Sequence, residues 1–414
     1  MRKPETIERL YLDFDGFFAS VMQQAYPKLR GRPVGVVPFE GTDRTVVIAC
    51  SKEAKAAGCT NVMKVLEARQ KCPSLVLVPQ EPDLFRRAHN ALLSEISAVI
   101  PIDAIKSIDE LTCRLDERQR QEPEDLAATI KDRIARFVGI YITCSIGFAA
   151  NRHLAKIACK MDKPNGVTIW HPNMMPQPLY PLPFDDIPGI GERMKARLNK
   201  LGVYDMQRLL ALQPKHMRKI WRNVTGERLW YALHGYDIQA GSSERGMYGH
   251  GRVLPPDLRT MKEAREIARI LLVKAARRMR RENFAASGLV LWLAITNGSF
   301  GDGLKLPAVR DDKAFLDALD ILWHRAEGEV AWRKVYRVHV TLIDLTPAKA
   351  RQLDMLLDDD RERQRWEHVT DAQDDLNRKY SGTIVSTGWW NPPKGGNVGG
   401  KISYTRIPRA EDFW

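Results

Sequence analysis

Two places where carboxylates interrupt apolar, strand-like runs constrain this chain more than any other feature. Leu10, Leu12 and Phe14 alternate with Tyr11, Asp13 and Asp15, which is the two-residue period of a strand with one buried face. Asp13 and Asp15 are then expected to point the same way. Further along, SIDEL (Ser107 to Leu111) sets Asp109 beside Glu110 between Ile108 and Leu111. Adjacent strand residues face opposite sides, so ordinary packing cannot hide both charges. Clustered carboxylates repel unless cations neutralise them, and magnesium prefers such hard oxygen ligands together with substrate phosphates. Spacing alone favours separate surface carboxylates over a shared site.

The segments around these motifs predict a mixed α/β domain. RPVGVVPF and RTVVIA, joined by Glu40-Gly41-Thr42-Asp43, read as two β-rich runs of a small inserted subdomain, followed by a helical, lysine-bearing stretch. Asp83 to Val99 predicts a long helix, Ala104 to Asp116 a strand pair around SIDE, Pro123 to Val138 an amphipathic helix and Tyr141 to Ala149 a further strand. This alternation should end near Trp170. The proline-rich HPNMMPQPLYPLPFDDIP then leads into a mostly helical region up to about residue 240. From Arg245 to Leu345 the order is strand, long basic helix, two strands, helix, strand, a separate α+β domain.

Charge narrows the partners. Lys and Arg number 64 against 51 Asp and Glu, a net charge of +13 that suits a polyanion such as nucleic acid. The six cysteines form no CxxC pair and no zinc-finger spacing, so they read as reduced thiols. MRKPETIERL lacks the apolar core of a signal peptide, and the apolar run Leu289 to Ile295 is too short to span a bilayer. A cytoplasmic protein without membrane contact is expected.

Three further segments carry candidate chemistry. SIGFAANRHLAKIACKMDKPNG (Ser145 to Gly166) runs a strand into a helix bearing Arg152, Lys156 and Lys160 and ends in a KPNG turn. DIPGIGERMKARLNKLG (Asp186 to Gly202) has a glycine hairpin whose amides, at a helix N-terminus, suit a DNA phosphate. KAARRMRREN (Lys274 to Asn283) concentrates Arg277, Arg278, Arg280 and Arg281, either a phosphate-tracking face or a solvated basic one.

Taken in this order and at this separation, YLDFDGFF (Tyr11 to Phe18), SIDEL and the KPNG segment resemble the Y-family DNA polymerases over nearly the whole chain. The resemblance implies a multidomain α/β and α+β right-hand polymerase. Its palm would span residues 1–21 and 81–170, small fingers 22–80, a helical thumb with a helix-hairpin-helix 171–240, a little finger 245–347 and a C-terminal tail 348–414. It also implies catalytic Asp13, Asp109 and Glu110 holding two magnesium ions (Mg2+) with the Phe14 carbonyl. Phe18, next to Phe17, would be the steric gate against a ribose 2′-hydroxyl. Lys52, Lys55 and Lys163 would meet the deoxynucleoside triphosphate, with Ser107 and Lys156 in support, and Gly189, Gly191, Arg277, Arg278 and Arg281 would meet primer-template DNA. QLDMLL (Gln352 to Leu357) resembles a peptide that docks on a sliding clamp, through Gln352, Leu353 and Leu356.

The implied activity is template-directed, low-fidelity translesion synthesis by a monomer. Lys52 and Lys55 of SKEAK stand where the family commonly has Tyr and Arg, and lysine cannot reproduce arginine's bidentate fork. Two rival readings are a noncatalytic DNA-binding scaffold of a mutagenic repair complex, for which those lysines speak, and a nucleotidyl cyclase, against which the hairpin and basic C-terminal region speak. The ending KISYTRIPRAEDFW resembles a tail of some family members and suggests no chemistry.

Overall fold

A computed structural model describes residues 1–38, 41, 43–238, 245–330, 333–351, 359–388, 390 and 409–413. The chain forms two compact units that divide after residue 241.

The first unit is built on a central strand, β1 (Arg9–Phe14), followed by α1 (Phe17–Ala25). A small three-stranded sheet comes next, from β2 (Val34–Val37), β3 (Ala49–Cys50), α2 (Lys52–Ala56), α3 (Val65–Lys71) and β4 (Val76–Pro79), in the order β3-β2-β4. The second β-rich run pairs regularly only at its end. Val47 exchanges backbone bonds with Val62 and Met63 while Ile48 donates to Val36, so the run is shared between two partners. The parallel partner of β2 is β4, which the sequence pattern did not single out.

The chain returns through α4 (Pro82–Ser97), β5 (Ile102–Ile105), β6 (Glu110–Arg114), α5 (Glu117–Gln121), α6 (Pro123–Arg133), β7 (Cys144–Ala149), α7 (Arg152–Met161) and β8 (Val167–Trp170). The resulting sheet has the order β5-β6-β1-β7-β8, with β1 antiparallel to both neighbours. Both faces of β1 are covered, not one. Leu10, Leu12 and Phe14 pack with Phe85, Leu92 and Ile96 of α4, while Tyr11 joins Leu154, Ala155 and Ala158 of α7. Asp15 lies past the end of the strand, in a turn where Gly16 takes φ +54.

The helical region consists of α8 (Glu192–Lys200), α9 (Met206–Leu210), α10 (Pro214–Trp221) and α11 (Val224–Leu233). Its apolar residues Leu198, Met206, Met217 and Leu229 share one core with α7, which is why it belongs to the first unit.

The second unit contains β9 (Met247–Val253), α12 (Met261–Arg281), β10 (Phe284–Ile295), β11 (Gly298–Val309), α13 (Asp312–Val330) and β12 (Val335–Pro347). This is the order the sequence predicts, folded as an antiparallel sheet β11-β10-β12-β9 with α12 and α13 packed against it. A further helix, α14 (Asp359–Lys379), follows. The six cysteines are free and buried. Among the described residues no helix is long and apolar enough to cross a membrane.

Candidate active site

Strand register brings the acidic residues together. Asp13, at the end of β1, is the cross-strand partner of Glu110, the first residue of β6. The amide of Phe14 donates to the Asp109 carbonyl at 2.8 Å, so Asp109 is drawn to the same end of the ladder. Two side chains fix the turn that carries it. Ser107 Oγ donates to Asp109 Oδ1 at 2.5 Å, and the buried His89 of α4 holds the Ile108 carbonyl through Nδ1 at 2.7 Å.

The basic partners arrive through β7 and α7. At Gly147 an added Cβ would lie 2.2 Å from the Ala155 carbonyl and 2.3 Å from the Cys159 amide, so only glycine lets α7 settle directly on β7. That close approach places Lys156 Nζ at 2.7 and 2.8 Å from the two Glu110 carboxylate oxygens. Beyond α7 the chain doubles back, and Lys163 Nζ reaches Asp13 Oδ1 at 2.5 Å. Asn165 adopts a left-handed φ of 60, and its amide donates to Asp15 Oδ2 at 2.8 Å. Asp15 also accepts from the hydroxyls of Thr143 and Ser145. It therefore ties the KPNG turn to β7 rather than joining Asp13.

Burial pushes the Asp13 carboxyl up to about 6, and the neighbouring Asp109 and Glu110 add to the shift while Lys163 opposes it. Asp109 is raised by burial and by Glu110, against the Ser107 hydrogen bond. Burial lowers Lys163, but Asp13 outweighs it and holds the ammonium above its usual range. Three carboxylates thus face two lysines, and the donor set is hard oxygen throughout, which fits a divalent cation. Among the described residues no three acidic, histidine or cysteine side chains are already gathered around one metal position. Lys163 and Lys156 engage Asp13 and Glu110 instead.

A cleft of about 700 Å³ extends from Asp109, Glu110 and Lys156 past Arg152 to Gly189 and Arg228. Gly189 takes φ +100 and Gly191 caps α8, and a Cβ at either would meet nothing within 4 Å. The hairpin backbone is therefore open to a ligand.

The other expected residues fall in different settings. Phe14, Phe17 and Phe18 are buried, with the Phe18 ring centroid 4.9 Å from Phe85. Lys52 and Lys55 are exposed on α2. Gln352, Leu353 and Leu356, together with Trp414, lie outside the described residues.

The arginines of α12 require a correction. Arg277, Arg278 and Arg280 are buried rather than displayed as a basic face. Arg280 bridges Asp312 and Asp374, Arg277 also pairs with Asp374, and Arg281 pairs with Glu411. Arg278 donates to the Gly249 carbonyl at 2.7 Å. The acidic face of α14 and residues after it turn these charges inward, an arrangement a local reading of α12 could not reveal. Conversely, sequence reasoning passed over Tyr11, Asp15 and His89 as site residues. Tyr11 at least stands in phase with Asp13 along β1.

The first unit thus joins a mixed, carboxylate-bearing sheet, antiparallel except between β7 and β8, to a glycine hairpin, and a βαββαβ unit follows in the chain. Profiles of the impB/mucB/samB family match residues 12–160, of its C-terminal domain residues 245–355, and of the IMS family HHH motif residues 172–203. DNA polymerase IV of Moorella thermoacetica is 32% identical over 387 residues, covering 91% of this chain and 94% of that protein. DNA polymerase IV 1 of Bacillus subtilis is 26% identical over 391 residues, covering 91% and 92%. The chain belongs to the Y family of DNA polymerases. In fold it is similar to the Y-family DNA polymerase chimera Dbh-Dpo4(243-245)-Dbh, with a TM-score of 0.69 at 23% identity over 81% of this chain and 98% of that one. An insertion ternary complex of Dbh DNA polymerase matches with a TM-score of 0.56 at 24% identity over the same shares.

Proposed function

We propose that this chain is a DNA-directed DNA polymerase of translesion synthesis, adding deoxynucleotides to a primer 3′-hydroxyl with low fidelity. The observation that carries the reading is the register of Asp13 with Glu110, with Asp109 tied beside them, and a cleft lined by Asp109 and Glu110 that reaches the glycine hairpin. The relatives named DNA polymerase IV support it.

Asp13, Asp109 and Glu110, with the Phe14 carbonyl, would hold two magnesium ions. Such ions activate the primer hydroxyl and neutralise the triphosphate and leaving pyrophosphate. The protein's own part is positioning and charge. Ser107 orients Asp109, Lys156 steadies Glu110, and Lys163 would exchange Asp13 for the triphosphate of the incoming nucleotide. Phe18, backed by Phe17 and Phe85, would exclude the ribose 2′-hydroxyl, and Lys52 and Lys55 of the fingers would approach the triphosphate without an arginine fork. The Gly189 and Gly191 amides would meet primer-template phosphate.

The palm, fingers, thumb, little finger and tail divisions, a monomeric cytoplasmic enzyme, and a sliding clamp bound through Gln352, Leu353 and Leu356 complete the proposal. A noncatalytic scaffold has no need of three carboxylates kept together against their mutual repulsion. Extension of a labelled primer by wild type but not by Asp109→Asn/Glu110→Gln, with DNA binding retained, supports the enzyme. Failure of wild type to extend despite binding DNA and Mg2+ overturns it.

A further inference from the structure

Glu110 is held by a second residue of the first acidic motif, one given no role by the sequence pattern. Tyr11 sits on β1, two residues before Asp13, and is 2% exposed. Its hydroxyl donates to Glu110 Oε2 at 2.9 Å and accepts from Lys156 Nζ at 3.1 Å. Lys156 in turn donates to both Glu110 oxygens, at 2.7 and 2.8 Å, and lies over the Tyr11 ring, 5.1 Å from its centroid. The three side chains therefore close a ring of hydrogen bonds.

A carboxylate has roughly four lone-pair positions. Oε2 accepts two bonds, from Tyr11 and Lys156, whereas Oε1 accepts one, from Lys156. The position left over is on Oε1. A single lysine on a flexible stem could not choose between the two oxygens, because it meets both at nearly equal distance. The phenol, fixed by a buried ring on the central strand, breaks that symmetry.

We propose that Tyr11 is a positioning residue that saturates Glu110 Oε2 and so presents Oε1 to a divalent cation, setting the cation affinity of the site. This rests on the reading of Glu110 as a cation ligand. Tyr11→Phe keeps the ring, its packing and the seat of Lys156 Nζ over it, and removes the hydroxyl with its bonds to Glu110 and Lys156. Loss of a hydrogen-bond partner behind a metal ligand weakens metal binding by about 10- to 100-fold.

The test is binding of Mn2+, followed by the electron paramagnetic resonance of the free ion, to the full chain with primer-template DNA and a non-hydrolysable deoxynucleotide. Glu110→Gln serves as the reference, and thermal unfolding is recorded without metal. The expected result is Mn2+ affinity about 10-fold weaker in Tyr11→Phe, with primer extension recovering at saturating metal, so that the metal requirement changes and kcat does not. Unchanged Mn2+ affinity in Tyr11→Phe, whatever its Tm, overturns the proposal while Glu110→Gln still weakens binding. If Glu110→Gln also binds Mn2+ normally, the reading of Glu110 as a ligand falls and takes the proposal with it.

Discussion

Replacing Arg280 with methionine should unfold the second unit at a lower temperature without altering how the protein responds to DNA and salt. Arg280 donates to Asp312 Oδ1 at 2.7 Å, to Asp374 Oδ2 at 2.7 Å and Oδ1 at 3.1 Å, and to the Arg310 carbonyl at 3.0 Å. The side chains of Arg280, Asp312 and Asp374 are only 3%, 4% and 12% exposed. Methionine refills the volume of the stem, so the loss is that of the counterion to two buried carboxylates. Removing one partner of such a pair costs about 3–5 kcal/mol. At roughly 2–4 °C per kcal/mol for a unit of this size, Tm falls by about 10 °C.

Burial already pushes the Asp312 carboxyl up, and Arg280 pulls it back, so without Arg280 it binds a proton more readily. The deficit in stability should therefore shrink as pH falls. Calorimetry of the full chain across pH measures this, and DNA affinity across salt concentration supplies the second readout. A phosphate contact would flatten the salt slope by about 0.9 on its loss. A Tm unchanged within about 1 °C together with a flatter slope would refute the inward-facing arrangement of α12.

Three other perturbations follow from the first unit. Because the Asp13 carboxyl is pushed up to about 6, extension at limiting Mg2+ should fall as pH drops through about 6, where Asp13 takes a proton. Metal-free wild type should gain stability over Asp13→Asn on that same descent, since the folded state binds the proton more tightly than the unfolded chain; a pH-independent difference in Tm contradicts the shift. Gly147→Ala sets a methyl 2.2 Å from the Ala155 carbonyl, a clash with backbone that should cost about 3 kcal/mol and lower extension by displacing Lys156 and Lys163; urea unfolding showing no change would speak against that packing. Phe18→Leu, chosen because full truncation of a buried phenylalanine costs about 3–5 kcal/mol, should raise ribonucleotide incorporation relative to deoxynucleotide, and unchanged sugar discrimination removes Phe18 as the gate.

What the sequence determined by itself is local or strictly ordered. The period of two in RLYLDF, the helix-length apolar stripe of α4 and the strand-helix-strand order of the second unit are short-range patterns, because side-chain direction repeats along each element regardless of what packs against it. The acidic motifs could be picked out as charges beside apolar runs, but spacing alone did not decide between a shared site and separate surface carboxylates, and Asp109 lies in the turn before β6 rather than inside a strand. Which groups meet across the chain was decided only by tertiary structure. Lys163 finds Asp13 and Tyr11 finds Glu110 through sheet register and the close seat of α7 on Gly147, and His89 finds the Ile108 carbonyl through the packing of α4 on the sheet.

The run around Val47 is split between two backbone partners, although its β-rich composition favours one. The clearest case is α12. Its arginines have the composition of a solvated or DNA-facing helix, yet α14 supplies Asp374, and the segment after it Glu411, to turn them inward. A charge declares what it must be paired with, but only the fold chooses whether the partner is solvent, phosphate or a carboxylate from a distant part of the chain.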